Sequence, residues 1–191
     1  DLTGTIIGEG GTDISTGILF DGQYKTLSGE SVLNPITTLI INLIEEGLTQ
    51  EEAEALIQAT INLSSSINLF SDPIEASLNA ITSEESESYI QLQTINLLIE
   101  NTVSQISAAI VSIGYASKKE AYITASEELA KLLIDNSSST LSINDILENL
   151  INNTFSNINE DYSAVDLLGS NGVSSLITII TNTNSAIEQA T

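Results

Sequence analysis

Ser31-Val-Leu-Asn-Pro-Ile-Thr-Thr-Leu-Ile-Ile-Asn-Leu-Ile-Glu-Glu-Gly47 divides the chain into two kinds of sequence. Before it the chain is Gly-rich and strand-like; after it one amphipathic segment follows another. Asn34 is a residue that caps a helix start, and Pro35 suits the first helical position, where its missing N–H would have no partner anyway. Ile36, Leu39, Ile40, Leu43 and Ile44 then share one helical face. Gly47 supplies the left-handed residue that ends such a helix. The expectation is a mainly α protein. An amphipathic helical bundle over residues 34–191 carries a short N-terminal β segment over residues 1–33, the two forming one structural unit.

Upstream, Leu2-Thr-Gly-Thr-Ile-Ile-Gly8 reads as a strand and Glu9-Gly-Gly-Thr-Asp13 as a turn. Ile18-Leu-Phe20 and Gln23-Tyr-Lys-Thr-Leu27 read as a hairpin across Asp21-Gly22, a strong short hairpin signal. Three or four short strands are too few for a free-standing sheet. They must pack on the helices, pair with another chain, or both.

Downstream, Thr49-Gln-Glu-Glu52, Asp72-Pro-Ile-Glu75, Thr82-Ser-Glu-Glu85, Ser117-Lys-Lys-Glu120 and Ser142-Ile-Asn-Asp145 are capping boxes or close variants. They predict helices over about 50–62, 73–80, 83–113, 118–135 and 143–158, with a linker over 64–71. The longest would span about 45 Å. Its Leu92, Ile99, Ile106 and Ile113 recur every seven residues, a bundle stripe. Residues 160–172 read as a loop holding one helical turn near Ala164–Leu168, followed by a last helix over about 173–189.

Composition narrows the function. Of 191 residues, 41% are hydrophobic, enough for a core; four are Lys, none Arg and 26 Asp or Glu, for a net charge of −22. Such a chain repels nucleic-acid phosphates and anionic membrane surfaces. Without Cys there are no disulfides or thiolate sites. Without His the commonest general base and transition-metal ligand are missing. No apolar run approaches the roughly 20 residues of a membrane span, so no membrane insertion is expected. The chain begins with Asp1 instead of Met, which suggests a processed product or an excised piece.

The remaining residue types offer little chemistry. Ser117 with Lys118 or Lys119, and Ser126 with Lys131, are conceivable nucleophile–base pairs, but Ser117 is better explained as a helix cap. The acids cluster at Glu45-Glu46, Glu51-Glu52-Glu54, Glu84-Glu85-Glu87 and Glu127-Glu128, mostly where a helix start favours anions. No phosphate-binding loop is present; Gly8-Glu-Gly-Gly11 is a turn. The expectation is that the protein is not an enzyme. Calcium is the one cofactor the composition invites. Asn157, Asn159 and Asp161 have the first-third-fifth spacing of a calcium loop, but Tyr162 replaces its glycine and Leu168 its closing Glu. Asp13 and Asp21, in Gly-bearing turns, are further oxygen donors.

Gly10-Gly-Thr-Asp-Ile-Ser-Thr-Gly17, then Gly22, then Val32-Leu-Asn-Pro-Ile-Thr-Thr-Leu39 resembles a module of large exported proteins of cyanobacteria and marine bacteria. Gly47-Leu-Thr-x-x-Glu-Ala-Glu-Ala55 and Asp72-Pro73 continue the likeness. In that family a GGTD…TG turn, a short hairpin and a PLTTL helix precede a run of amphipathic helices; Ile36 stands where the family usually has Leu. The resemblance covers about residues 10–80 and is compositional beyond. It implies export, an extracellular location on a bacterial cell surface, and a structural or adhesive role, with no catalytic residues to carry over. The expected function is a subunit or module of a surface filament, sheath or adhesin stalk. Its expected partners are further copies, as a homo-oligomer or polymer, or neighbouring modules of a longer chain, met through the N-terminal strands. The alternative is a monomeric calcium-dependent adhesion or ligand-binding module.

Overall fold

The computed structural model describes residues 4–12, 20, 22–136 and 143–191. Its elements are β1 (Thr5–Glu9), β2 (Gln23–Leu27), α1 (Pro35–Glu45), α2 (Gln50–Thr60), α3 (Pro73–Asn79), α4 (Ser83–Ser112), α5 (Lys118–Asp135), α6 (Ile143–Ile158) and α7 (Ala164–Ala190). The fold is mainly α, with one short antiparallel hairpin at the N-terminal end.

α1 is the hub. Asn34 Oδ1 accepts from the Thr37 N–H at 2.9 Å, and Thr37 Oγ1 accepts from the Asn34 N–H at 3.0 Å, a reciprocal cap. At the other end Gly47, with φ 106°, lets its own N–H reach the Ile44 carbonyl while the Leu48 N–H reaches that of Leu43. This double bond closes two of the carbonyls a helix end leaves open. The predicted apolar face is buried, but so is every residue from Pro35 to Leu43. The reason is that β2, α2, α4 and α5 all pack on α1. Its buried polar side chains therefore need partners inside the protein.

α4 and α5 form a spine shared by two apolar cores. One lies between α1, α2, the 63–70 segment and the first half of α4, around Ile40, Leu43, Ile57, Leu69 and Leu92. The other lies between the second half of α4, α5, α6 and α7, around Ile106, Ile110, Ala125, Leu150, Ile151, Phe155 and Ile180. Ile99 and Leu129 pack against both. On the α4–α7 contact, Asn101 donates to Thr183 Oγ1 at 2.9 Å and to Asn184 Oδ1 at 2.7 Å, and Asn184 donates to Thr102 Oγ1 at 3.1 Å. These half-buried amides favour one register between the two helices, because a slip would leave their polar groups without these partners.

Several expectations are corrected. β2 pairs with β1, and the Phe20 N–H bonds the Gly11 carbonyl at 3.0 Å. The outer edge of β2 is taken by α1, where the Lys25 N–H donates to Thr38 Oγ1; Ile18, Leu19 and Asp21, and with them the predicted turn, lie outside the described residues. The 64–71 linker is part of the core. Ile67, Leu69 and Phe70 are buried, and Gln58 Nε2 holds the Ile67 carbonyl at 3.0 Å. α7 starts at Ala164 and is kinked at Gly169, whose φ of 72° and ψ of 160° are not helical. It is also, among the described residues, the one helix long and apolar enough to cross a membrane by length and composition. In this fold it buries Val173, Leu176 and Ile180 against the second core.

Candidate functional site

The hairpin is the feature with unsatisfied chemistry. β1 and β2 are antiparallel, with Thr5 opposite Leu27, Ile7 opposite Lys25 and Glu9 opposite Gln23. The Ser28 N–H bonds the Gly4 carbonyl at 2.8 Å, which sets the phase of the ladder. Even-numbered residues of β1 bond β2, and the backbone groups of Thr5, Ile7 and Glu9 point outward. The same alternation turns the Lys25 N–H away from β1. There it donates to Thr38 Oγ1 of α1 at 2.9 Å, so the outer edge of β2 is covered from within. The outer edge of β1 meets no described residue. β1 is exposed along most of its length, with Ile6 at 40% and Ile7 at 52%.

The open strand is held on a firm base. The buried Lys25 Nζ lies 3.0 Å from Asn42 Oδ1, 2.7 Å from Glu45 and 3.8 Å from Glu127. Asn42 Nδ2 in turn donates to Ser126 Oγ at 2.9 Å, which ties strand, α1 and α5 into one network. Tyr24 and Tyr122 both donate their hydroxyls to Glu100 of α4. Phe20 stacks on Tyr24 with ring centres 4.2 Å apart and meets Tyr122 edge-on at 5.4 Å. Gly22 is required beneath these rings, because a Cβ there would lie 2.8 Å from Phe20 and Tyr122. Glu9 bonds Lys119 at 2.7 Å and Gln23 Nε2 at 2.7 Å.

The electrostatics follow from these contacts. The hydrogen bond from Lys119, then that from Gln23, holds the Glu9 carboxyl below its usual range. Burial, then the charge of Glu100, pushes the Tyr122 hydroxyl well above the usual tyrosine value. Burial also pushes Glu127 up, against the pull of Lys25. The bond to Glu128 raises Lys131.

The sequence-predicted site residues are only partly described. Asp13 and Asp21 lie outside the described residues. Asn159 Oδ1 accepts from the Asp161 N–H at 3.1 Å, so this side-chain oxygen already has a partner in its own turn, and Asn157 sits exposed in the last turn of α6. Among the described residues no group of three or more Asp and Glu side chains is placed to hold a metal ion. Ser117 Oγ accepts from the Glu120 N–H as a helix cap, and Lys119 is on Glu9. Ser126 accepts from Asn42, and Lys131 bonds Glu128 at 2.7 Å. The Lys25 network was not found from sequence. Its one signal is a lone cation in a short strand of a chain with four lysines.

No family model, curated protein or solved structure matches this chain.

Proposed function

We propose that this chain is a non-enzymatic structural subunit or module of an extracellular bacterial surface assembly, a filament, sheath or adhesin stalk, joined to neighbouring copies through its N-terminal strands. The observation that carries the proposal is the outer edge of β1, with the backbone groups of Thr5, Ile7 and Glu9 turned outward and no described residue on them. Proteins that stay monomeric blunt such edges with lysine, proline or a covering element. β1 has neither residue, and its single charge, Glu9, is already engaged by Lys119. A strand from another copy would satisfy the edge by main-chain bonds, and Ile6 and Ile7 would be covered by its side chains. If the donor and acceptor surfaces differ, the contact repeats head to tail and an open filament grows. The net charge of −22 keeps the other faces apart. The bacterial surface setting rests on the family resemblance over residues 10–80.

Ile7→Pro is the test. The Ile7 N–H faces away from β2, so proline removes an outward donor and no ladder bond. The wild-type chain should form oligomers in light scattering. The variant should be monomeric with unchanged helical circular dichroism. Oligomers of the same size in the variant, or a wild type that stays monomeric at high concentration, would refute strand addition.

A further inference from the structure

A strand edge is satisfied by another strand edge, and the described residues offer few. They form one two-stranded sheet, and the outer edge of β2 is taken by α1, where the Lys25 N–H donates to Thr38 Oγ1 at 2.9 Å. Among the described residues, the outer edge of β1 is therefore the only strand edge one copy can present to the next. Two copies joined by these residues must use it on both sides.

The phase of the ladder fixes how. Thr5, Ile7 and Glu9 carry the outward groups, so a partner strand must set its own outward residues opposite them. Two β1 strands do this over their full length in one antiparallel register. Ile7 lies opposite the second copy's Ile7, and Thr5 opposite the second copy's Glu9. Each of these pairs exchanges both N–H···O bonds, and no outward group of Thr5–Glu9 is left over.

The side chains suit the same register. Ile6 faces the second copy's Gly8 in a non-hydrogen-bonded pair, the closer kind, where the glycine leaves room for it. Gly8 is kept small from within, because a Cβ there would press on Leu33 Cδ1 at 3.3 Å. On the other face the two Ile7 side chains, each 52% exposed in the single chain, cover one another. Charge does not oppose the contact. Glu9, the one charged residue of β1, meets a threonine and already holds Lys119 at 2.7 Å. The two Glu9 positions stand about 14 Å apart along the strands, beyond the screening length of about 10 Å at 0.1 M salt. An in-register parallel pair would instead set Glu9 beside Glu9, which is destabilising.

We infer, granted strand addition as the joining contact, that the occupant of the β1 edge is the β1 of a second copy, antiparallel about Ile7. The result is one sheet in the order β2-β1-β1-β2 across a two-fold axis. An isolated two-stranded hairpin is marginal in water, and a four-stranded sheet is not. The contact is isologous and closes at two copies, so a longer assembly adds such pairs through another face.

The chain contains no cysteine, so single-cysteine variants report the register directly. In the antiparallel pair the Cα atoms at position 7 lie about 5.5 Å apart, within disulfide reach, and those at position 5 about 14 Å apart, beyond it. Under mild oxidation with diamide, Ile7→Cys should form a covalent pair on a non-reducing gel at least about tenfold faster than Thr5→Cys. Both positions are exposed, so both variants should keep the wild-type helical circular dichroism. A nitroxide on Thr5→Cys, which leaves Ile7 in place, should show dipolar coupling at roughly 10–20 Å. Equal trapping at both positions, or nitroxides in contact, would mean a parallel pair and overturn the inference. Oligomers with no trapping at position 7 and no coupling at position 5 would mean that a segment other than β1 is the donor. Strand addition would then stand and the two-fold pair would fall. A wild type that stays monomeric in light scattering would refute strand addition itself, and the pair with it.

Discussion

Tyr122 concentrates the physics of the hairpin junction in one hydroxyl. It is 3% exposed, bonded to Glu100, and in ring contact with Phe20 and Tyr24. Burial and the neighbouring carboxylate both oppose its ionisation. In the unfolded chain the phenol loses its proton near pH 10. In the fold it keeps the proton to higher pH. Between those values the unfolded state binds fewer protons, so stability falls as pH rises. The contribution is complete below about pH 10 and is lost above it. Tyr122→Phe should therefore cost about 0.5–1.5 kcal/mol at neutral pH, the worth of one hydrogen bond. The gap to wild type should close in urea titrations run above about pH 10. A gap that stays constant with pH would show that the hydroxyl does not titrate differently in the fold. None of this was readable from the sequence. Tyr24, Glu100 and Tyr122 are far apart in the chain, and periodicity places each on a helix or strand without saying which faces meet. Lys25 was hidden for the same reason: its partners Asn42, Glu45 and Glu127 come from two other elements.

Elements were more legible than contacts, because helix ends are local chemistry. Asn34, Thr49, Asp72, Thr82 and Ser117 all cap helices as their side chains predict. Ser142 lies outside the described residues. The errors are of another kind. β2 pairs with β1 on one edge and bonds α1 on the other, and neither neighbour is adjacent to it in sequence. Ile67, Leu69 and Phe70 entered the core without any period to announce them. That the strands could not satisfy themselves was clear from their number; which strand kept the open edge was not. α7 is an intermediate case. Its N-terminal turn was visible, but its union with the last helix through Gly169 was not. A Cβ at Gly169 would meet nothing within 4 Å, so any cost of Gly169→Ala comes from the backbone alone. At φ 72° and ψ 160° that conformation suits glycine and strains alanine by about 1–3 kcal/mol. The fully buried Ala164 anchors the turn before the kink, so straightening is opposed. The expected outcome is a urea midpoint lowered by that amount. An unchanged midpoint would mean that the kink is not needed to seat the first turn of α7.

Over the whole molecule, charge is arranged very unevenly. Lys25, Lys119 and Lys131 pair with acids around the hairpin, α1 and α5, whereas residues 26–117 carry no cation at all. The few ion pairs stabilise the junction, and the many uncompensated acids repel one another. With a net charge of −22 the second effect should dominate. Salt screens both, over about 10 Å at 0.1 M. Raising NaCl from about 10 to about 300 mM should therefore raise Tm in calorimetry, by a few degrees. A fall would mean that the Lys25 and Lys119 pairs outweigh the repulsion. Assembly through β1 should follow the same rule, since two acidic chains must approach closely enough for backbone groups to bond. The rate of oligomer growth should rise with ionic strength, and calcium and magnesium should act alike at equal ionic strength. A rate or Tm that responds to calcium alone would point to a bound ion. It would favour an adhesion module held together by calcium over a strand-added polymer.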